Sequence, residues 1–152
     1  MLAHVKGRPI SMVRYPDGIG GEAFFQKNKP DWAPDWIEAV TLGTQAKDYI
    51  LPTEEACFPW LANLGCVELH QMHSRSPNFA NPDYISYDFD PPESFKFSDI
   101  VELALEFKEH LEKFGYRPFV KTTGRKALHV VTPIEPRWTF EQGLEAAEGW
   151  VS

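Results

Sequence analysis

A chain of 152 residues with 43% apolar and 14% aromatic content is long enough for one real core, and this length predicts a single domain over residues 1–152. The 24% charged content excludes a disordered, collagen-like or coiled-coil chain, and the formal net charge of −7 excludes a protein that coats nucleic acid through its whole surface. No apolar run reaches the roughly 20 residues of a membrane span and residues 1–14 lack a signal-peptide core, so the expectation is a cytoplasmic protein with no membrane partner.

In chain order, Gly7 to Tyr15 reads as a short strand ending at the turn signal Pro16-Asp17-Gly18. A second strand over Ala23 to Gln26 makes a hairpin carrying Phe24 and Phe25, whose side chains alternate, so that one ring can enter the core while the other faces out. Trp32, Trp36, Ile37 and Val40 recur at helical spacing and predict a short helix within Asp31 to Leu42, starting near Pro34. A second helix is expected over Glu54 to Leu64 with Thr53 as its cap and Gly65 as its stop, followed by a strand over Cys66 to Met72. Ser74 to Pro82, with its prolines, asparagines and serines, reads as a loop.

Tyr84 to Asp90 alternates as a strand, with Ile85, Tyr87 and Phe89 on one face and Ser86, Asp88 and Asp90 on the other, and Pro91-Pro92 ends it. Ser98 to Phe114 has the apolar recurrence of an amphipathic helix with Gly115 at its C-cap. Phe119 to Thr122 and Leu128 to Thr132 read as strands around Gly124, and Thr139 opens a last helix to Val151. The fold class expected is α/β, a central antiparallel or mixed sheet built from Glu68–Met72, Tyr84–Asp90, Phe119–Thr122 and Leu128–Thr132 with flanking helices. The only cysteines, Cys57 and Cys66, are too few for a disulfide scaffold and suit two reduced thiols.

Two features carry chemistry. Asp88 and Asp90, one residue apart on a strand, project to the same side and supply the hard oxygen ligands that suit Mn²⁺ or Mg²⁺, with Phe89 between them pinning the strand to the core. On a solvated face the same spacing also arises by chance, so Asp-x-Asp alone does not decide the matter. Basic residues are concentrated locally: Lys6, Arg8, Arg14, Lys27 and Lys29 against Asp17 and Glu22, and Arg117, Lys121, Arg125 and Lys126 with no acid among them. Each has a plain alternative: the second cluster can simply solubilise a hairpin, and His70 can be a structural histidine.

Several runs taken together, and in this order, resemble the polymerase domain of bacterial ligase D, a primase-like repair polymerase of non-homologous end joining. They are Gly7-Arg8-Pro9, Arg14-Tyr15-Pro16-Asp17-Gly18, Phe24-Phe25-Gln26-Lys27-Asn28, Trp60-Leu61-Ala62-Asn63-Leu64, Glu68-Leu69-His70, Asp88-Phe89-Asp90-Pro91 and Lys121-Thr122-Thr123-Gly124-Arg125-Lys126-Ala127-Leu128-His129. The resemblance implies a primase-polymerase fold in which Asp88 and Asp90 are catalytic, metal-binding acids. It implies that His70, Thr123, Arg125, Lys126 and His129 meet the nucleotide, with Arg125 either adding phosphate affinity or obstructing the pocket, and that Arg14, Phe24, Phe25 and Lys27 meet DNA. A lysine as a point charge, a threonine hydroxyl and the N–H groups around Gly124 suit phosphate, and an exposed ring beside Lys27 suits a stacked base.

The resembled domain is longer at both ends: it begins with a helical segment before the Gly-Arg-Pro run, and its third catalytic carboxylate lies beyond the last matched motif. Glu135, Glu141, Glu145 and Glu148 fall in a loop and a predicted surface helix and do not replace that acid. The expected function is therefore nucleotidyl transfer from NTP or dNTP at gapped or broken DNA ends, with a ligase or complementary polymerase subunit completing the site. The alternatives are a non-catalytic nucleotide- or DNA-end-binding adaptor for a DNA ligase and a metal-dependent phosphoesterase.

Overall fold

The computed structural model describes residues 1–124 and 126–151. The chain forms two compact units that divide between Pro77 and Asn78.

The first unit contains α1 (Leu2–Val5), β1 (Ile10–Arg14), β2 (Phe24–Gln26), β3 (Ala39–Leu42), β4 (Lys47–Ile50), α2 (Cys57–Asn63), β5 (Cys66–Gln71) and β6 (Ser74–Arg75). Its five-stranded sheet runs β2-β1-β4-β3, with β5 also paired to β1. β5 lies along the whole of β1, from Ile10↔Gln71 to Arg14↔Cys66, so β2 and β4 share the other side of β1. Alternate residues of β1, Ile10 and Met12, have no exposed surface and pack with Ile37, Ile50, Cys57 and Leu61.

Three expectations for this unit are corrected. Residues 31–38 are not helical: the Ala33 N–H bonds the Pro30 carbonyl at 2.9 Å and the Ile37 N–H the Pro34 carbonyl at 3.0 Å, two successive proline-led turns. In each turn the proline is the first residue and its carbonyl is the acceptor, and Pro34 would collide with the carbonyl of Pro30 inside a helix, so the tryptophan spacing is coincidental. Val40 belongs instead to β3, which pairs with β4 across a turn holding Gly43 at φ +78°. α2 starts at Cys57 rather than Glu54 because Pro59 is tolerated only in a first turn, and Thr53 does not cap it; its hydroxyl donates to Glu38 Oε1 at 2.9 Å. The segment 74–82, expected as loop, contains β6 in this unit and, past Pro77, β7 (Asn78–Pro82) of the second.

The second unit adds β8 (Tyr84–Phe89), α3 (Phe97–Lys113), β9 (Phe119–Thr122), β10 (Leu128–Pro133) and α4 (Phe140–Trp150) to β7. Its three-stranded sheet has the order β8-β10-β9, so β10 returns between the strands that α3 connects. α3 buries Ile100, Ala104 and Leu111 against Leu128 and Val130, with Tyr87, Phe89 and Phe107 packed around them. Gly115, at φ +84°, ends α3 as expected, and Thr139 opens α4: its hydroxyl accepts the Gln142 N–H at 3.2 Å while the Gln142 side chain accepts the Thr139 N–H at 3.0 Å. Every strand pair of both main sheets is antiparallel, and the α/β class is as read from the sequence. The strands expected in one sheet divide between two, since β5 joins β1 while β8, β9 and β10 pair among themselves.

Two acidic groups in the cores, buried Cys57 and partly buried Tyr87, make stability sensitive to alkaline pH. Burial, reinforced by the neighbouring Cys66, pushes the Cys57 thiol from 9.0 up to about 11, and burial, reinforced by Tyr116, pushes the Tyr87 phenol from 10.0 up to about 12. Unfolded, both groups ionise earlier, so the folded state should lose stability as pH rises from 9 toward 11 through Cys57 and from 10 toward 12 through Tyr87. Melting temperature followed across this range should fall less steeply in a Cys57→Ser, Tyr87→Phe double variant; equal slopes would contradict the assignment.

Candidate active site

The sheet of the second unit sets three chemically active residues in one row. Asp88 of β8 is the register partner of His129 on β10, which in turn faces Lys121 on β9. Residues directly opposite on antiparallel strands share a face, so a carboxylate, an imidazole and an ammonium stand side by side. The neighbouring residues Phe89, Leu128 and Val130 point to the other face, into the core under α3, which is why this face is left polar. Phe89 anchors β8 as expected, its ring 5.5 Å from that of Phe107. His129 Nε2 lies 3.4 Å from Asp88 Oδ1; the Asp88 side chain is 64% exposed and that of His129 31%, so the carboxylate stays open to a ligand while the imidazole steadies it.

Asp90 is not on the strand. β8 stops at Phe89, and the place opposite Asp90 in the register belongs to Ala127, whose carbonyl already accepts the Thr123 hydroxyl at 3.0 Å and the Thr123 N–H at 3.3 Å. Pro91 then removes the next ladder donor. Asp90 is an exposed group one step beyond the row. Thr123 closes the β9–β10 loop through the same bonds; Gly124 supplies its left-handed corner at φ +85°, and Lys126 is exposed beside it. Arg125 lies outside the described residues.

In the first unit the two phenylalanines take different partners. Phe25 is opposite Val13 and Phe24 opposite Arg14, which puts the rings on opposite faces of a sheet edge. Neither enters the core: Phe24 is 44% and Phe25 53% exposed, because β2 has only three residues and borders β1 alone. Phe25 lies with His70 (ring centroids 5.6 Å apart) and Lys27 (Nζ 5.8 Å from the ring). His70 Nε2 is also 3.5 Å from Glu68 Oε2. On the other face the Arg14 guanidinium lies 5.0 Å from the Phe24 centroid and is held by two acceptors, the Leu64 carbonyl at 2.9 Å and Gln26 Oε1 at 2.7 Å.

The structure thus brings Asp88 and His129 together in one unit, and Phe25, Lys27 and His70 together in the other; Arg14 and Phe24 form a separate pair. Lys121 and Glu68 were missed as site members. Lys121 was legible in principle, since the short connection between β9 and β10 sets it opposite His129, and Glu68 stands two residues from His70 on one strand face. Among the described residues no three His, Cys, Asp or Glu side chains gather as a metal-binding set, and no helix is long and apolar enough to cross a membrane.

The model of the family "LigD, primase-polymerase domain" matches residues 1–151. The bifunctional non-homologous end joining protein LigD of Bacillus subtilis is 33% identical over 143 residues, 93% of this chain and 23% of that protein. The multifunctional LigD of Pseudomonas aeruginosa is 29% identical over 150 residues, 97% of this chain and 18% of that protein. The chain therefore spans less than a quarter of these relatives. The solved polymerase domain of Mycobacterium tuberculosis ligase D, in complex with DNA, superposes with a TM-score of 0.89 at 26% identity, over 99% of this chain and 56% of that one. On a family match that runs almost from end to end, this chain belongs to the LigD primase-polymerase domain family.

Proposed function

We propose that this chain is a DNA-end repair nucleotidyltransferase of non-homologous end joining, adding NTP or dNTP to a primer at gapped or broken ends. The observation that carries the reading is the row of Asp88, His129 and Lys121 on the open face of a sheet that belongs to this family. Asp88 and Asp90 would hold Mn²⁺ or Mg²⁺; a site of one or two carboxylates, its coordination completed by water and substrate phosphate, suits these hard ions. Bound there, such an ion supplies charge stabilisation at the reacting phosphate and lowers the pKa of the attacking hydroxyl.

The remaining steps fall to the chain's own residues. His129 fixes the Asp88 carboxylate from the side. Lys121 and Lys126 draw the triphosphate, aided by Arg125, and the Thr123–Ala127 closure holds the loop that carries Lys126. Phe25 offers its ring to a base, with Lys27 and His70 beside it for phosphate or sugar, and Arg14 steadies Phe24. The chain covers 56% of the solved polymerase domain, and the proposal includes further polypeptide, from a ligase or a complementary polymerase subunit, that completes the catalytic set. The free thiols Cys57 and Cys66 suit work in a reducing cytoplasm.

A second reading, a nucleotide- or DNA-end-binding adaptor for a ligase, is favoured by the position of Asp90, which lies beyond the end of β8 and off the row that Asp88 shares with His129. Primer extension on a gapped, 5′-phosphorylated duplex with Mn²⁺ and either NTP or dNTP separates the two. Templated addition is the expected result; binding of the duplex with no addition, alone or with a ligase-bearing partner, would establish the adaptor. Cleavage of a simple phosphodiester without nucleotide would point instead to a phosphoesterase.

A further inference from the structure

The face of the second sheet that carries Asp88, His129 and Lys121 extends past that row. One step further from the β9–β10 connection lie Ser86, Val131 and Phe119, again in register and again on the face away from the core. Two strand residues rise about 7 Å, which is the distance between the rows. Phe119 is 52% exposed, and the Arg117 guanidinium carbon lies 5.5 Å from its ring centroid. From Phe114 to Ile134 the chain has four bases, Arg117, Lys121, Arg125 and Lys126, and no acid, although its net charge is −7. Three of these bases have a place at the triphosphate; Arg117 and Phe119 have none.

On the nucleotidyl-transfer reading proposed above, we infer that Arg117 and Phe119 hold the last nucleotide of the primer strand, the ring stacking on its base and the guanidinium meeting a backbone phosphate. The direction follows from the chemistry. In phosphoryl transfer the attacking and leaving oxygens lie roughly in line, on opposite sides of the reacting phosphorus. Asp88 and Asp90 hold the metal, and the triphosphate points to Lys121, Lys126 and the loop closed by Thr123, so pyrophosphate departs toward that loop. The primer 3′-hydroxyl then arrives from the other side of Asp88, and on this face of the sheet that side is the row of Ser86, Val131 and Phe119.

The residues suit a nucleic-acid strand. A single strand is held without regard to sequence by an aromatic ring under a base and a cation at the backbone, and Phe119 and Arg117 supply one of each within a single contact. The acid-free run from Phe114 to Ile134 sets no like charge of its own against the phosphates. Lys121 stays with the triphosphate, one row away from the ring.

The test is a gapped, 5′-phosphorylated duplex whose last primer base is 5-iodouracil, bound by the full chain and irradiated with long-wave ultraviolet light. Peptide mass mapping is expected to find the cross-link at Phe119, kept in Phe119→Tyr and lost in Phe119→Leu, and not at Phe119 when the iodouracil is moved to the template base opposite. Phe119→Ala should weaken binding of the duplex roughly 5- to 150-fold, the worth of one stacked base, with its salt dependence unchanged. Arg117→Ala should flatten the slope of log affinity against log salt by about 0.7–0.9, the loss of one phosphate contact. Both positions are exposed, so the circular dichroism spectrum should not change. Templated extension with the primer base cross-linked elsewhere overturns this site and leaves nucleotidyl transfer standing. A cross-link at Phe119 in a chain that never extends the primer upholds the strand site and sinks the transfer reading. Absence of any cross-link, or affinity and salt slope unchanged in both alanine variants, overturns the site.

Discussion

Replacing Asp88 and Asp90 together by asparagine should remove the rise in melting temperature expected of the wild-type chain with Mn²⁺, and with it the expected nucleotide addition. An ion at a hundred times its dissociation constant stabilises the form that binds it by about 2.7 kcal/mol. At about 2–4 °C per kcal/mol for a chain of this size, the wild-type shift should be about 5–10 °C. Asparagine keeps the shape and removes the charge, and both positions are exposed, so without metal the variant should melt close to the wild type. Of the single variants, Asp88→Asn should cost more, because Asp88 is fixed by β8 and steadied by His129 whereas Asp90 lies beyond the strand. An undiminished Mn²⁺ shift in the double variant would sink the metal-site proposal, whatever the activity assay shows.

Gly65→Ala should be among the most destabilising single substitutions in the first unit. Gly65 sits at φ +69°, and a Cβ there would lie 2.6 Å from the Tyr15 carbonyl oxygen and 2.9 Å from its carbon. Those are backbone atoms, and they are tied down: the Tyr15 N–H donates to the Gly65 carbonyl at 2.7 Å. The left-handed conformation costs alanine about 1–2 kcal/mol and the overlap about 1–3 more, for a loss of roughly 3 kcal/mol and 6–12 °C. Gly115→Ala is the control, since Gly115 is also left-handed, at φ +84°, but nothing lies within 4 Å of its would-be Cβ. It should lose only the conformational part, about 1–2 kcal/mol. Equal losses at the two positions would show that contact with Tyr15 contributes nothing. Because Leu64 holds Arg14, Gly65→Ala should also loosen the Arg14–Phe24 pair, measurable as weaker binding to a gapped duplex at a temperature where the variant is still folded.

What was legible in the sequence was local. The α3 stripe of Ile100, Ala104 and Leu111, the alternation of β8 and the Thr139 cap each depend on residues a few places apart, and each appears as expected. Trp32 and Trp36 have helical spacing, but Pro30 and Pro34 each open a turn there, and the prolines decide the backbone. The division of strands between sheets was not legible, since β5 pairs with β1 more than fifty residues before it rather than with a strand that follows it. The same limit applied to the site. Asp88 could be singled out from its motif, but its neighbours His129 and Lys121 become neighbours only through two register choices, and the exposure of both Phe24 and Phe25 depends on β2 being a short edge strand. Family resemblance supplied what periodicity could not, by fixing motif order along the chain.

The row on the second sheet also acts as a ruler. β10 is paired on both sides, so His129 marks a fixed midpoint, and Asp88 and Lys121 lie one strand away from it in opposite directions. Two inter-strand steps set their backbones about 10 Å apart, a length dictated by hydrogen-bond geometry rather than by side-chain choice. A ligand that engages the negative and the positive end at once therefore lies across β10, over His129, rather than along any one strand.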